Sequence, residues 1–379
     1  MDELIQGNQF EAEDPRFLTE HIITYLGNKR NLLGFIGAAL DEVKKELHKD
    51  KLDIVDMFSG SGVVSRFFKK DARVLYANDL EDYCMTINRC YLSNRSAVDY
   101  DTLLFHYNRV MGQLEDDKLV GGFIAELYSP LDDKDIKHGE RVFYTSRNAR
   151  YIDTARQVIE NIPEPFKTYL LAPLIYEASV HTNTSGVFKG FYKNSRTGIG
   201  QFGGDGRNAL QRIMTDIKLK LPLFSRFECD VRVLCQDANT LAPLLPDVDL
   251  VYMDPPYNQH PYGSNYFMLN LINSYRRPED ISKVSGIPTD WNKSQFNKKQ
   301  SSKASMRALC EALKARAKYL LISFSNDGFI SQEEMMELLD SVGEVKVFDR
   351  EYNTFRGCRN LSSRTRYIKE HLYLVKTGR

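Results

Sequence analysis

Short apolar runs bounded by turn residues recur along the chain: LDIVDMF (52–58), RVLYAND (73–79), VRVLCQDA (231–238), VDLVYMD (248–254), AKYLLISFSND (317–327), EVKVFD (344–349) and EHLYLVK (370–376). Several are continuous rather than alternating, which is the pattern of strands covered on both faces of a parallel sheet. Helical periodicity fills many of the gaps, at Glu81 to Leu92, Met306 to Ala317 and Ser331 to Val342. This alternation predicts a doubly wound α/β domain. From about Ala97 to Phe227 the rhythm breaks. Helix-like patches at Tyr151 to Asn161 and Phe166 to Val180 precede a Gly-rich, aromatic and basic tract, HTNTSGVFKGFYKNSRTGIGQFGGDGR. So much irregular sequence inside one α/β unit reads as an inserted module rather than a connector. The expected division is residues 1–96 and 227–379 for one α/β domain, interrupted by a module at 97–226.

Four strand ends carry acids: Asp56, Asp79, Asp237 and Asp254. In an open parallel sheet they would share the carboxyl edge, where ligands bind. Each alone is equally readable as a helix cap. The first strand runs into DMFSGSG (Asp56 to Gly62), whose glycines either make a tight turn or let the backbone approach a ligand at a helix N-terminus. The third glycine of a dinucleotide fingerprint is replaced by Ser65, so the turn suits S-adenosylmethionine, which has no pyrophosphate, better than NAD. Asp79, at the tip of the next strand, is placed to hold ribose hydroxyls.

The stretch DPPYNQHPYGSNYF (254–267) sets an acid, two prolines and a tyrosine after a buried strand. One reading is a simple turn with a surface tyrosine. The other is chemical. An exocyclic amine is a poor nucleophile because its lone pair is delocalised into the ring. A fixed carboxylate (Asp254) and a fixed carbonyl (Pro255), each accepting from one N–H, favour the pyramidal form and its developing charge. Tyr257 offers a face on which a flipped base can stack. Tyr262, Asn265 and Tyr266 fall where the surroundings of that nucleotide would be built.

Lys plus Arg equals Asp plus Glu at 51 each, so net charge is silent on a polyanionic partner. Its distribution is not: eight Lys or Arg face one Glu between Lys293 and Lys318, and nine face three acids between Lys346 and Arg379. Both runs are readable as solvated faces or as a surface that tracks a nucleic-acid backbone. Six cysteines without a CxxC pair argue against a zinc site or disulfide framework, so no metal is expected. No apolar run reaches the roughly 18 residues of a spanning helix, and the acidic start is unlike a secretory signal. A cytoplasmic protein is expected.

TYLGNKRNLL (Thr24 to Leu33), DMFSGSG, Asn78-Asp79 and DPPY, in that order, resemble the Dam-type, alpha-group N6-adenine DNA methyltransferases. LISFSNDGFIS (321–331), EYNTFRGCRN (351–360) and HLYLVK are similar to the tail of their restriction-modification members. The resemblance covers nearly the whole chain except parts of the insertion. It implies a seven-stranded, Rossmann-like S-adenosylmethionine (AdoMet) dependent methyltransferase sheet with an inserted target-recognition domain. By the same resemblance, Tyr25, Asn28 and Lys29 close over AdoMet, although Lys29 alone reads as a solvated helix start. Asp56, Phe58, Gly60 and Gly62 surround the cofactor, Asp79 holds its ribose, and Asp237 faces its adenine amine. Asp254, Pro255, Pro256 and Tyr257 hold the target base. The tract from His181 looks like a DNA-entering hairpin, with Lys189, Lys193 and Arg196 as contacts and Phe188, Phe191 and Tyr192 interleaved; otherwise it is a Gly-rich surface loop. Arg356 and Arg359 are further DNA candidates. The implied function is site-specific methylation of adenine N6 in double-stranded DNA by a monomer, in a restriction-modification system with a cognate endonuclease. An RNA or N4-cytosine methyltransferase, or a non-catalytic nucleic-acid-binding subunit, are the alternatives.

Overall fold

A computed structural model describes residues 13–20, 23, 27–326, 328–353 and 367–379. Seven strands form one sheet: β1 (Leu52–Asp56), β2 (Ala72–Asp79), β3 (Asp230–Cys235), β4 (Val248–Met253), β5 (Ala317–Ser325), β6 (Glu344–Asn353) and β7 (Tyr367–Lys376). Their order is β3-β2-β1-β4-β5-β7-β6. The first five are parallel, and β4 is buried along its whole length, which is why its sequence is a continuous apolar run.

Parallel pairing stops at β5. β7 runs antiparallel between β5 and β6. Antiparallel pairing, unlike parallel, does not require a crossover between the paired strands. The sheet order reverses between β1 and β4, and this switch point opens a crevice at their carboxyl ends.

Two layers of helix cover the sheet. On one face α1 (Leu33–Leu47) and α2 (Val63–Phe68) pack Ile36, Leu40, Val64 and Phe68 against Ile54, Leu75, Leu250 and Leu321. α3 (Asp82–Tyr91) follows β2. On the other face α9 (Ala238–Leu241), α12 (Ser302–Lys314) and α13 (Gln332–Asp340) cover Val55, Val251 and Ile322. Ser331 and Glu334 close a reciprocal capping box on α13, fixing the start that periodicity placed at Ser331.

Between α3 and β3 lie α4 (Tyr100–Met111), α5 (Phe123–Tyr128), α6 (Ser146–Ile159), α7 (Phe166–Val180) and α8 (Leu210–Met214). α7 spans the residues its sequence predicts. α6 starts five residues before Tyr151, where the Thr145 side chain caps it by accepting from Asn148 N. These helices share an apolar core with α3 and with α10 (Tyr262–Asn265) and α11 (Phe267–Ser274), through Tyr83, Ile87, Tyr91, Leu174, Phe267 and Leu271. The inserted residues are therefore packed onto the elements that flank the crevice.

Asp153 organises this second core. Its carboxylate is 0 % exposed and accepts from the backbone N–H groups of Gly122 (2.7 Å), Ile124 (3.2 Å) and Ala125 (2.8 Å) and from the Tyr275 hydroxyl (2.8 Å). It thus caps α5 from a distant helix and ties it to the end of α11. Asp153→Ala, which takes the acceptor from one buried and two half-buried N–H groups, is expected to destabilise the protein by about 3 kcal/mol. Urea unfolding measures this, and a loss below about 1 kcal/mol would show that the N–H groups find other partners.

Candidate active site

A crevice that opens to solvent lies at the ends of β1, β2 and β4. Its floor is the turn after β1. Gly60 and Gly62 adopt positive φ (50° and 78°), and a Cβ on Gly62 would sit 2.3 Å from Asn88 Oδ1, so only glycine fits there. Asn88 of α3 donates to Ser59 Oγ (3.0 Å) and to the Gly60 carbonyl (3.1 Å). Asp79 accepts from Gly60 N (2.8 Å) and Glu81 N (3.0 Å). The turn is thus held from two sides, and the remaining acceptor capacity of Asp79 faces the crevice.

Asp56 is 1 % exposed, and Ser65 donates to its Oδ2 at 2.6 Å, so the residue that replaces the third glycine has a hydrogen-bonding task. Its Oδ1 has no partner among the described residues. Burial, with the nearby carboxylates adding to it, pushes the Asp56 carboxyl up to about 7. Asp237 caps α9 by accepting from Asn239 N and Thr240 N (3.0 and 3.1 Å), and it also lines the crevice. Phe58 meets Phe296 edge to face at 5.4 Å.

Asp254 stands just past β4. Lys29, in the turn before α1 and only 4 % exposed, reaches Asp254 Oδ1 at 3.2 Å and Glu370 Oε1 of β7 at 2.6 Å. Lys29 is therefore no solvated helix start. Burial works against its charge, but the two carboxylates outweigh that and hold its pKa well above the ordinary value. Burial raises Asp254 to about 6, with Lys29 pulling the other way. Asn28 caps the Lys29 turn through Arg30 N, and both Asn28 and Lys29 line the crevice.

Pro255 is buried, and Pro256 lines the crevice. Tyr257 is not a surface side chain: it is half-buried, edge-on to Phe324 at 5.8 Å, and its carbonyl accepts from Phe329 N at 2.8 Å. The DPPY turn is thus clamped by the segment after β5. Tyr262 lines the crevice and stacks on Tyr266 (5.8 Å, 22°). Asn265 and Tyr266 are buried behind it rather than exposed to a ligand.

One wall is absent from the sequence reading. Asn292, Phe296 and Asn297 close the crevice from the segment after α11, where Asn292 donates to Glu81 Oε2 (3.2 Å) and Asn297 to the Asn258 carbonyl (2.8 Å). Nothing periodic marks these residues. Glu370 was also passed over, because EHLYLVK reads as one more apolar strand; a single acid at a buried strand position is the signal that could have found it.

The tract from His181 does form a hairpin-like turn. Lys193 bridges to Gly200, Asn194 N donates to the Ile199 carbonyl (2.8 Å), and Gly198 takes positive φ. Asn183 anchors it, donating to the Val142 carbonyl (2.8 Å) and accepting from Gly203 N (2.9 Å). Lys189, Lys193 and Arg196 are exposed. Of the interleaved aromatics, Phe188 and Phe191 are 2 % and 9 % exposed and pack on Phe143, because a thin loop needs apolar anchors to hold its shape. Tyr25, Arg356 and Arg359 lie outside the described residues. Among the described residues no cluster of three metal-binding side chains occurs, and no helix is long and apolar enough to cross a membrane.

The model of one family, D12 class N6 adenine-specific DNA methyltransferase, matches residues 25–338, from the Lys29 turn through α12 and into α13. The chain is 28% identical to the type II methyltransferase M.CviAII of Paramecium bursaria Chlorella virus 1, over 93% of its own length and 98% of the relative's. It is 27% identical to M.NlaIII of Neisseria lactamica, over 93% and 99%. With M.FokI of Planomicrobium okeanokoites the identity is 28%, over 88% of this chain and 50% of that one. A switch-point crevice floored by a glycine turn and edged by DPPY, together with a family match over most of the length, places the chain in the D12 class of N6 adenine-specific DNA methyltransferases.

Proposed function

We propose that this crevice methylates the N6 amine of an adenine flipped out of double-stranded DNA, with S-adenosylmethionine as donor. The observation that carries the reading is Asp254, held against buried Lys29 at the mouth of a crevice whose floor is the Gly60–Gly62 turn. The donor is a sulfonium that also carries an ammonium. The side chains present fit such a cation: Asp56 keeps an unpartnered buried oxygen, and Asp79, Glu81 and Asp237 line the same space. Asp56, Phe58, Gly60 and Asn28 would hold the methionine part, Asp79 the ribose and Asp237 the adenine amine. When bound, AdoMet supplies an activated methyl group.

The rest is the work of the chain. Asp254 accepts from one N–H of the target amine and the rigid Pro255 carbonyl from the other, so the nitrogen lone pair is turned out of conjugation. Asp254 is a stabiliser rather than a strong base, since an adenine amine is barely acidic; the proton leaves after the nitrogen has become cationic. Pro256 keeps the turn stiff, and Tyr257 with Tyr262 provides the aromatic surface for the ring. Lys189, Lys193 and Arg196 contact DNA phosphates or base edges. Coverage of almost the full length of two relatives named as type II methyltransferases supports a restriction-modification role, with an endonuclease of matching specificity as partner. One copy suffices for one strand at a time.

Incubation with tritiated AdoMet and mixed DNA should label adenine; label in cytosine alone would overturn the base assignment. Asp254→Ala should abolish transfer and spare AdoMet binding, whereas loss of binding would remove Asp254 from the chemistry. Because Asp254 must be ionised and its pKa is about 6, single-turnover rates should hold above that value and fall about tenfold per pH unit below it. A rate flat to pH 5 would contradict this.

Asp56 gives a stability counterpart. Its folded pKa, about 7, lies above the ordinary 3.8, so the folded state binds the proton more tightly. The stability this contributes is present below about pH 4 and is lost as pH rises through 7. Asp56→Asn should therefore stabilise the ligand-free protein at pH 8 by on the order of 1 to 3 kcal/mol, less at pH 5, while weakening AdoMet binding. Equal thermal shifts at both pH values would refute the account.

A further inference from the structure

The run of cations from Lys293 to Lys318 divides in the structure. Toward its end, Lys303 pairs with Glu334 (2.9 Å) and Lys318 with Asp249 (3.0 Å), while Lys314 and Arg316 donate to the carbonyls of Ser341 and Pro243 (both 2.9 Å). These four hold the fold together. Toward its start, Lys293, Lys298 and Lys299 are exposed and have no ion pair among the described residues; Arg307 of α12 is exposed as well. Lys293 lies over the Trp291 ring at 5.5 Å, and Lys298 donates to Gln295 Oε1 at 3.3 Å. Glu334, the acid that senses Lys299, is already held by Lys303.

The three lysines stand on a wall of the crevice. Asn292, Ser294, Phe296 and Asn297 line it, with Lys293 between the first two and Lys298 and Lys299 directly after the last. That wall is fixed at both ends. Asn292 donates to the Leu80 carbonyl (3.1 Å), and its own carbonyl presses so close to Gly263 that a Cβ there would lie 2.4 Å away. Asn297 donates to the Asn258 carbonyl (2.8 Å), and Phe296, 3 % exposed, roots the segment between them.

Cations at this rim have a task. Asp56, Asp79, Glu81, Asp237 and Asp254 all line the crevice, so a polyanion approaching its mouth meets a concentration of acids. A nucleotide extruded from a duplex turns its base into the pocket while its phosphates stay with the strand outside. Those phosphates come to rest at the mouth, where the acids repel them. We propose that Lys293, Lys298 and Lys299 hold the phosphates on either side of the adenine whose base enters the crevice, so that residues 291–299 form the rim against which that strand is laid. This rests on the reading of the crevice as the site of a flipped adenine. Such contacts position DNA without reading its sequence, so they contribute to the affinity for any duplex.

In the full-length protein, Lys293→Gln/Lys298→Gln/Lys299→Gln should bind a mixed-sequence duplex about tenfold more weakly, and the slope of log affinity against log salt should shrink by about two to three, near 0.9 per lost phosphate contact. AdoMet affinity and the thermal midpoint should hold, because these side chains are exposed. Lys45→Gln/Lys70→Gln, in the last turn of α1 and just before β2, removes exposed cations at the opposite edge of the sheet and should leave the slope within about 0.5 of wild type. An unchanged slope in the triple variant overturns the proposal, as does an equal loss per lysine in the control. Should the triple variant fail to fold, Lys298→Gln alone should lower the slope by about one, and no change overturns the proposal. Position is read on a duplex built around the adenine that tritiated AdoMet labels. Neutral methylphosphonates at its two flanking phosphates should weaken wild-type binding about tenfold and that of the triple variant less than about twofold. Additive losses would put the lysines elsewhere on the DNA and overturn the proposal. If wild-type protein labels no adenine, the reading of the crevice falls; if it labels adenine and the slope or the losses fail as stated, the inference about the rim alone falls.

Discussion

A buried ammonium has to be matched by negative charge, and Lys29 meets that requirement with two carboxylates that both lie far from it in the sequence. Its Nζ joins Glu370, 341 positions away in sequence, to the turn before α1 and to Asp254 at the end of β4. Much of the architecture follows. β7 must enter the sheet beside β5 for Glu370 to arrive behind the DPPY turn, and antiparallel pairing puts it there. Gly27 takes φ 79° beside the motif, and a Cβ there would come within 3.3 Å of the Tyr257 hydroxyl. The segment before α1 therefore presses directly onto the DPPY turn, and a bulkier residue in its place would separate Lys29 from its partners.

The same constraint extends along the sheet edge. Asp56 and Glu81 are both raised to about 7, Asp79 is raised and Asp254 reaches about 6, with burial the leading cause in every case. So many desolvated acids in one crevice are a standing cost to the ligand-free fold, and one that a cationic ligand would relieve. The polar surroundings limit the cost: Asp79 is satisfied by two backbone N–H groups, and Glu81 by Asn270 and Asn292. Asp56, with one oxygen lacking a partner among the described residues, bears it most directly. The acid that is least satisfied by the protein is the one placed for the proposed donor.

How much of this was readable in the sequence depends on the range of the interaction. The seven strands are local: each run of apolar residues announces itself, even in the half-exposed edge strands β3 and β6, and all seven expected runs became strands. The glycine turn and the DPPY turn are equally local, since left-handed φ and stiff prolines are properties of the residues themselves. The direction of β7 is not, because an apolar run looks alike in either orientation. The pairing of Lys29 with Glu370 is not local either: the resemblance marks Lys29 and a lone acid inside an apolar strand marks Glu370, but nothing in either stretch says that the two meet. Phe188 and Phe191 also take their role from a distant partner: the loop that carries them needs an apolar root, and Phe143 supplies it.

That root also decides how the inserted module relates to the chemistry. Phe188 N donates to the Asn265 carbonyl at 2.7 Å, at the end of the short helix that follows the DPPY loop, and Phe188 and Phe143 both meet Phe267 of α11. On the outer side, Ser285 donates to the Lys189 carbonyl at 2.6 Å. The exposed cations of the hairpin are therefore mounted on the helices that extend the motif, not on a separate lobe hinged to the sheet. Moving the hairpin relative to Asp254 would require breaking this aromatic cluster, whose packed rings resist small displacements as any close-packed core does. Recognition of the duplex and capture of one base, if each is performed by the residues proposed, are thus carried by elements that pack on one another.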